Sequence, residues 1–215
     1  MTTEMVAYHG DPSLKAIVLA DVATRRDPTG DYAEYSARWG IPEELVRLKD
    51  GIFENLPRDC ATAWPERFLS AIAPGADLSG VYAAWSVALM LDSERGNITR
   101  CAGFPEAEAA VRTVGELWRD AASESAKYAA SESAWGAVDL VSERSAAAES
   151  AWSAAASASV SVWSASCSEY AARSAAWSVP ESERSAASVA HWCWMADLLI
   201  ATIEAAPGHH SLSGA

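Results

Sequence analysis

Between positions 121 and 188 the chain is written almost in two letters, since 41 of these 68 residues are alanine or serine. Trp135, Trp152, Trp163 and Trp177 are nearly the only large side chains there. Alanine is the strongest helix former, and serine is tolerated in a helix when its hydroxyl bonds back to a carbonyl one turn earlier. The stretch therefore reads as helix, but it cannot build a leucine core. Small residues let helix axes approach closely, and each indole must sit in a gap left by small neighbours.

The same region sets how the chain must break. From Pro105 to Val179 there is no proline, and Gly115 and Gly136 are the only glycines. A single helix over that span would run for roughly 100 Å, too long for a chain of 215 residues. At about 100° per residue, Trp152, Trp163, Tyr170 and Trp177 fall within about 40° of one another, whereas Trp135 and Tyr128 lie about 100° or more away. The pattern predicts a turn between Gly136 and Ala148, followed by a helix with one aromatic stripe from Trp152 to Trp177. The simplest role for those rings is a core packed into alanine- and serine-lined holes. The sharper one is an aromatic platform on which a planar ligand stacks.

The first half is punctuated by proline and glycine. Asp11-Pro12 is a cap followed by a first-turn proline, and Asp27-Pro28-Thr29-Gly30 ends that element. A short helix over Tyr32–Trp39 is stopped by Gly40. Pro42-Glu43-Glu44 opens another, with Leu45, Leu48, Ile52, Phe53 and Leu56 at helical spacing. Pro65 is read as starting a short helix bearing Phe68, Leu69 and Ile72, and Asp77 as capping one bearing Val81, Trp85 and Leu89. Ser93–Gly103 reads as a loop with a short extended piece at Asn97–Arg100, and Pro105 begins the next helix. Ser178-Val179-Pro180-Glu181 has capping-box spacing before a last helix with Val189, Trp192, Ala196, Leu199 and Ile203 inward. Pro207 to Ala215 reads as a disordered tail. No segment alternates as a strand would.

The fold class expected is all-α, a helical bundle of about seven to nine helices, short in the N-terminal half and long in the C-terminal half. It reads as one domain over 1–207, with short helices over 1–104, an Ala/Ser/Trp-rich helical region over 105–207 and the tail 208–215. The net charge of −13 opposes nucleic-acid and anionic-membrane binding, which need lysine and arginine. Cys60, Cys101, Cys167 and Cys193 show no metal-type spacing. The apolar stretches Val81–Leu91 and Val189–Ala201 are too short to span a bilayer. With no signal-peptide pattern at the N-terminus, the expectation is reduced thiols in a bacterial cytoplasm.

Trp64, Glu66, Arg67, Asp77 and Ser79 form the densest polar and aromatic constellation of the first half. Glu66 and Arg67 could meet a ligand beside free helix N–H groups, although capping and one ion pair explain the same residues. His9, Asp11 and Lys15 read as a cap and a solvated turn, and His191 as a core histidine. No phosphate loop, nucleophile elbow or HExxH occurs, so no catalytic residue, metal or cofactor is assigned and an enzyme ranks last.

Gly40-Ile41-Pro42-Glu43-Glu44-Leu45, Gly51-Ile52-Phe53, Trp64-Pro65-Glu66-Arg67-Phe68-Leu69, Gly75-Ala76-Asp77-Leu78-Ser79 and Met195-Ala196-Asp197-Leu198-Leu199 together resemble a family of small Ala/Trp-rich helical proteins of bacteria and their phages. That family carries no assigned activity. Its phage association implies a role in the conflict between host defence and counter-defence.

The function expected is a non-enzymatic, homo-oligomeric binding protein for a small planar or nucleotide-like ligand. Its concrete form is a phage-encoded anti-defence sponge for an immune signal. The candidate ligand-binding residues are Trp64, Glu66, Arg67, Asp77, Ser79, Trp85, Arg112, Trp152, Trp163 and Trp177. The alternatives are an acidic immunity or inhibitor-type protein covering a basic effector, and an enzyme of unrecognised type.

Overall fold

The structure is a computed structural model that describes residues 6–24, 32–120, 123–140, 145–161 and 167–208. It is all-α, with ten α-helices among the described residues, just above the expected number. They are α1 (Pro12–Thr24), α2 (Tyr32–Trp39), α3 (Glu43–Asn55), α4 (Arg58–Ala71), α5 (Val81–Leu91), α6 (Pro105–Arg119), α7 (Glu124–Leu140), α8 (Ala146–Val160), α9 (Cys167–Trp177) and α10 (Arg184–Glu204). Short 3-10 helices occupy Ala7–Gly10, Asn97–Cys101 and Glu181–Glu183. An isolated bridge between Val6 and Asp77 is the sole extended pairing among the described residues. The chain divides into two compact units, Met1–Tyr82 with Ala196–Ala215, and Ala83–Met195, the division falling inside α5 and inside α10.

The first unit has a core of large apolar side chains. Leu45, Leu48 and Ile52 recur at three- and four-residue spacing on α3 and are fully buried, as are Trp64, Phe68 and Leu69 of α4. The Trp64 indole keeps its polar edge satisfied by donating Nε1–H to the Lys49 carbonyl at 3.0 Å. Lys15 closes the C-terminus of α4, its Nζ donating to the Ser70 and Ile72 carbonyls at 2.7 Å each. Gly40 has φ +65°, and a Cβ there would collide with the Val6 carbonyl, so only glycine lets α2 end against residues 6–10. Ala7 N–H donates to the Ala76 carbonyl at 3.0 Å, Gly75 N–H to Ala7 at 2.9 Å and Asp77 N–H to Pro207 at 3.0 Å. Ala7 and Pro207 are thereby both hydrogen-bonded to the turn between α4 and α5.

Two expectations in this unit are corrected. Pro65 does not start a helix; it lies inside α4, which begins at Arg58. An interior proline costs about 3 kcal/mol, but burying Trp64 and Phe68 on the same face returns about 1.5–3 kcal/mol each. Asp77 caps a turn, not α5, because its Oδ1 accepts the Ser79 N–H at 3.0 Å and α5 starts only at Val81.

The second unit is built around α8, which packs on α6, α7, α9 and the 97–101 turn. Ten of its fifteen residues are buried, and every one of the ten is alanine or serine. Paired serines sit at its contacts. Ser131 of α7 and Ser159 of α8 each donate to the other's carbonyl, at 2.9 and 3.1 Å. Ser150 of α8 and Ser174 of α9 do the same at 2.8 and 2.7 Å. A hydroxyl can reach a neighbouring helix's backbone only when the axes are close, which alanine permits. Gly115 serves the same close packing, since a Cβ there would lie 2.6 Å from Leu91.

The predicted turn before Ala148 is present, with α7 ending at Leu140 and α8 capped by Ser145, whose Oγ accepts the Ala148 N–H. The single striped helix is corrected. α8 ends at Val160 and α9 begins at Cys167, so Trp152 sits on one helix and Tyr170 and Trp177 on the next. Trp163 lies outside the described residues, as does the side chain of Trp135. Serine hydroxyls bond backbone on both sides of this boundary, Ser161 Oγ donating to the Ala158 carbonyl in the last turn of α8 at 2.8 Å and Ser157 Oγ to the Cys167 carbonyl of α9 at 2.7 Å. The extended piece near Asn97–Arg100 is a 3-10 turn instead. The capping box at Ser178 does not form, because that hydroxyl donates back to Ala175 at 2.7 Å.

On α10, Trp192, Ala196, Leu199 and Ile203 are buried as expected, but Val189 is 38% exposed. The segment Glu181–Glu204, with mean hydropathy 1.3, is long and apolar enough to cross a membrane by length and composition. Core helices pass the same test, and its buried residues recur at core-helix spacing.

Candidate functional site

The residues singled out in the first half resolve into packing and capping. Trp64 is core. Glu66 and Arg67 are exposed, and Arg67 Nη2 meets Asp197 Oδ1 at 2.9 Å in an open surface pair worth about 0–1 kcal/mol. Hydrogen bonds from exposed Ser79 hold the half-buried Asp77 carboxyl below the usual range. In the second unit Trp85 is fully buried and donates to the Met195 carbonyl at 3.3 Å. Arg112 is exposed and bonded to Glu108 one turn earlier. Trp152 tilts against Tyr170 at 6.1 Å, with the Arg173 guanidinium 5.2 Å from its ring centre.

Trp177 is different, because it lines a cleft of about 550 Å³. The cleft forms where three helix ends and one turn converge. Ala146 and Ala147 come from the start of α8, Trp177 from the end of α9 and Arg184 from the start of α10. The 97–101 turn adds Thr99 and Arg100, with Glu94 just before it and Ser178 to Pro180 closing the far wall.

Its charge runs against the chain's. In a protein of net charge −13, two arginines and one glutamate line this cleft. The Arg184 guanidinium carbon lies over the Trp177 ring, 3.7 Å from its centre, and its Nε is buried without a hydrogen-bond partner. Arg100 is mostly withdrawn from water, and burial lowers it to about 10, so at neutral pH it remains a cation. It donates from Nη1 to Asn97 Oδ1 at 3.4 Å and lies 3.1 Å from His191 Nδ1 through Nη2.

That last contact defines the histidine. Burial, then the charges of Arg100 and Arg95, push His191 down to about 2, so the ring is neutral. A guanidinium has only donors; Nδ1 therefore accepts, and the ring proton sits on Nε2, which is buried and unpartnered. His191 thus orients Arg100 without cancelling its charge. Among the described residues no carboxylate pairs with Arg100 or Arg184. The three hydroxyls of the lining each donate to a backbone carbonyl, Thr99 Oγ1 to Gly96 at 2.8 Å, Ser150 Oγ to Ser174 at 2.8 Å and Ser178 Oγ to Ala175 at 2.7 Å. No group of three or more His, Cys, Asp or Glu side chains converges on a metal site among the described residues.

No family model, curated protein or solved structure matches the chain, and the chemistry of the cleft must be read from its own geometry.

Of the sequence candidates among the described residues, the structure brings Trp177 alone to this cleft; Trp163 lies outside them. Arg100, Arg184, Thr99 and Glu94 were missed. One signal was present: Arg184 is among the few cations of the Ala/Ser-rich run and lies four positions past its one proline, Pro180. Nothing local in the sequence marks Arg100, because its partner His191 is 91 positions away.

Proposed function

We propose that this protein is a non-enzymatic binder that takes a small planar anion of nucleotide type into the cleft at Arg100, Trp177 and Arg184 and sequesters it. The observation that carries the reading is the largely buried Arg100 cation, held by a neutral histidine and lacking a counter-ion. Desolvating a cation without a pairing charge is costly, and a bound anion removes that cost. The Arg184–Trp177 stack supplies a second cation and a flat surface. A volume near 550 Å³ falls in the range of roughly 300–1,000 Å³ usual for small-molecule sites. Donation of the wall hydroxyls to backbone carbonyls suits a holder better than a nucleophile. Retention of a signalling nucleotide is the concrete form of this activity.

Thermal melts with nucleoside monophosphates, cyclic nucleotides and phenyl phosphate test the reading. Binding at 100-fold above Kd should stabilise the protein by about 2.7 kcal/mol and raise its Tm. The R100A/R184A double variant should melt unchanged whether ligand is present or absent. No shift with any of these compounds overturns the proposal.

A further inference from the structure

We infer that the cleft selects a terminal phosphomonoester, doubly charged and with three free oxygens, over the singly charged phosphodiester of a cyclic or bridged nucleotide. This rests on the reading above and concerns the anionic end of the ligand alone. Arg100, largely withdrawn from water, and Arg184, half-buried over Trp177, line the same cleft, and no carboxylate pairs with either among the described residues. A guanidinium carries five N–H donors and no acceptor. Arg100 uses one donor on Asn97 Oδ1 and one on His191 Nδ1, while Arg184 keeps its Nε buried with no acceptor. The helix α8 opens on the same cleft through Ala146 and Ala147, its first two residues, whose N–H groups have no acceptor inside the helix.

Donors and positive charge here both exceed what a single anionic charge can satisfy. A phosphomonoester at neutral pH carries about 1.5 to 2 negative charges on three acceptor oxygens, whereas a diester keeps one charge on two. With a diester bound, one guanidinium stays without a counter-charge, and where that guanidinium is Arg100 a desolvated cation is left uncompensated. A monoester has oxygens and charge for both, through the forked contact that a guanidinium makes to phosphate. The N-terminal end of α8, equivalent to about half a positive charge, adds to the same preference. Glu94, the one carboxylate of the lining, is exposed, so water screens its opposing charge.

Calorimetric titration of the full chain with adenosine 5′-monophosphate, with its phosphate methyl ester and with adenosine 3′,5′-cyclic monophosphate isolates the phosphate, since all three share base and sugar. One salt concentration and a pH of about 7.5 keep the monoester doubly charged, its second pKa lying near about 6. The monoester should bind at least tenfold more tightly than either diester, which is about 1.4 kcal/mol. Arg184→Gln keeps an amide donor without the charge, and it should weaken the monoester more than the diesters, lowering that ratio at least threefold. Arg184→Lys, which retains the charge, should lower it less. An unchanged melting temperature of each free variant establishes that the fold is intact, and the wild-type ratio remains a test even where a variant melts early. A wild-type ratio below tenfold, or a ratio that a folded Arg184→Gln leaves in place, overturns the inference while the planar-anion site stands. Binding of none of the three overturns both.

Discussion

In the unit formed by residues 1–82 and 196–215, helices meet over Trp64, Phe68, Leu45, Leu48 and Ile52. In the unit 83–195, α8 meets its neighbours over alanine and over serines paired through their backbones. The first kind of core gains by removing large apolar surfaces from water. The second has little such surface per residue and relies on close approach, low side-chain entropy cost and hydrogen bonds made across helices. The difference reaches the cleft. The small-residue unit also buries Trp85, Leu89 and Met195, but the start of α8 brings only Ala146, Ala147 and Ser150 to its junction with Trp177 and Arg184, and a cleft remains there with arginines in its lining.

The largest effects should come from exchanging the two packing styles. Trp64→Ala removes a fully buried indole and its bond to Lys49, and should cost about 3–5 kcal/mol in urea denaturation. Ala155→Leu does the reverse in α8, forcing a branched side chain into a fully buried site that holds a methyl group, and should cost about 1–3 kcal/mol or more. A neutral Ala155→Leu would break the comparison, since it would mean that α8 is loosely packed.

The serine pairs sharpen it. Ser150→Ala and Ser174→Ala each delete one of two reciprocal bonds, with an expected loss of about 0.5–1.5 kcal/mol apiece. Because each bond holds the axes at the distance the other needs, the double variant should lose less than the sum of the singles. Strict additivity in the cycle would show that the hydroxyls act independently and do not set the helix spacing.

These residues also show what was legible in advance. The end of α2 before Gly40, the start of α3 after Pro42 and the start of α6 at Pro105 fall where glycine and proline place them, because those residues restrict the backbone by themselves; the end of α6 at Arg119 carries no such mark. The end of α8 was not legible, because serine serves equally inside a helix, as Ser150 and Ser153 do, and at its end, as Ser161 does. Pro65 misled for a tertiary reason, the burial of Trp64 and Phe68 around it. In the cleft, Trp177 was legible as an unusual ring in a small-residue run. Arg100 and Arg184 were not, since their meaning comes from the missing counter-ion, and an absent partner is visible only in three dimensions.

The smallest effect near neutral pH belongs to His191, and its sign follows from burial. The folded ring stays neutral down to about 2, whereas the unfolded ring takes a proton at its ordinary 6.5. The unfolded state therefore binds more protons between those limits, and stability falls as the pH drops below about 6.5. From pH 7 to pH 6 the loss should be about 0.7 kcal/mol, steepening toward about 1.4 kcal/mol per unit. Carboxylates elsewhere in the chain titrate over part of this window, so the readout is the difference between the wild type and His191→Gln, which can still accept from Arg100 but does not titrate. That difference should grow steadily on acidification from pH 7 to pH 5. Parallel stability curves would show that the ring gains water or a proton acceptor in the folded state. Arg100 would then be oriented by a group able to charge, and the argument that its cation stands uncompensated beside a neutral histidine would fail with it.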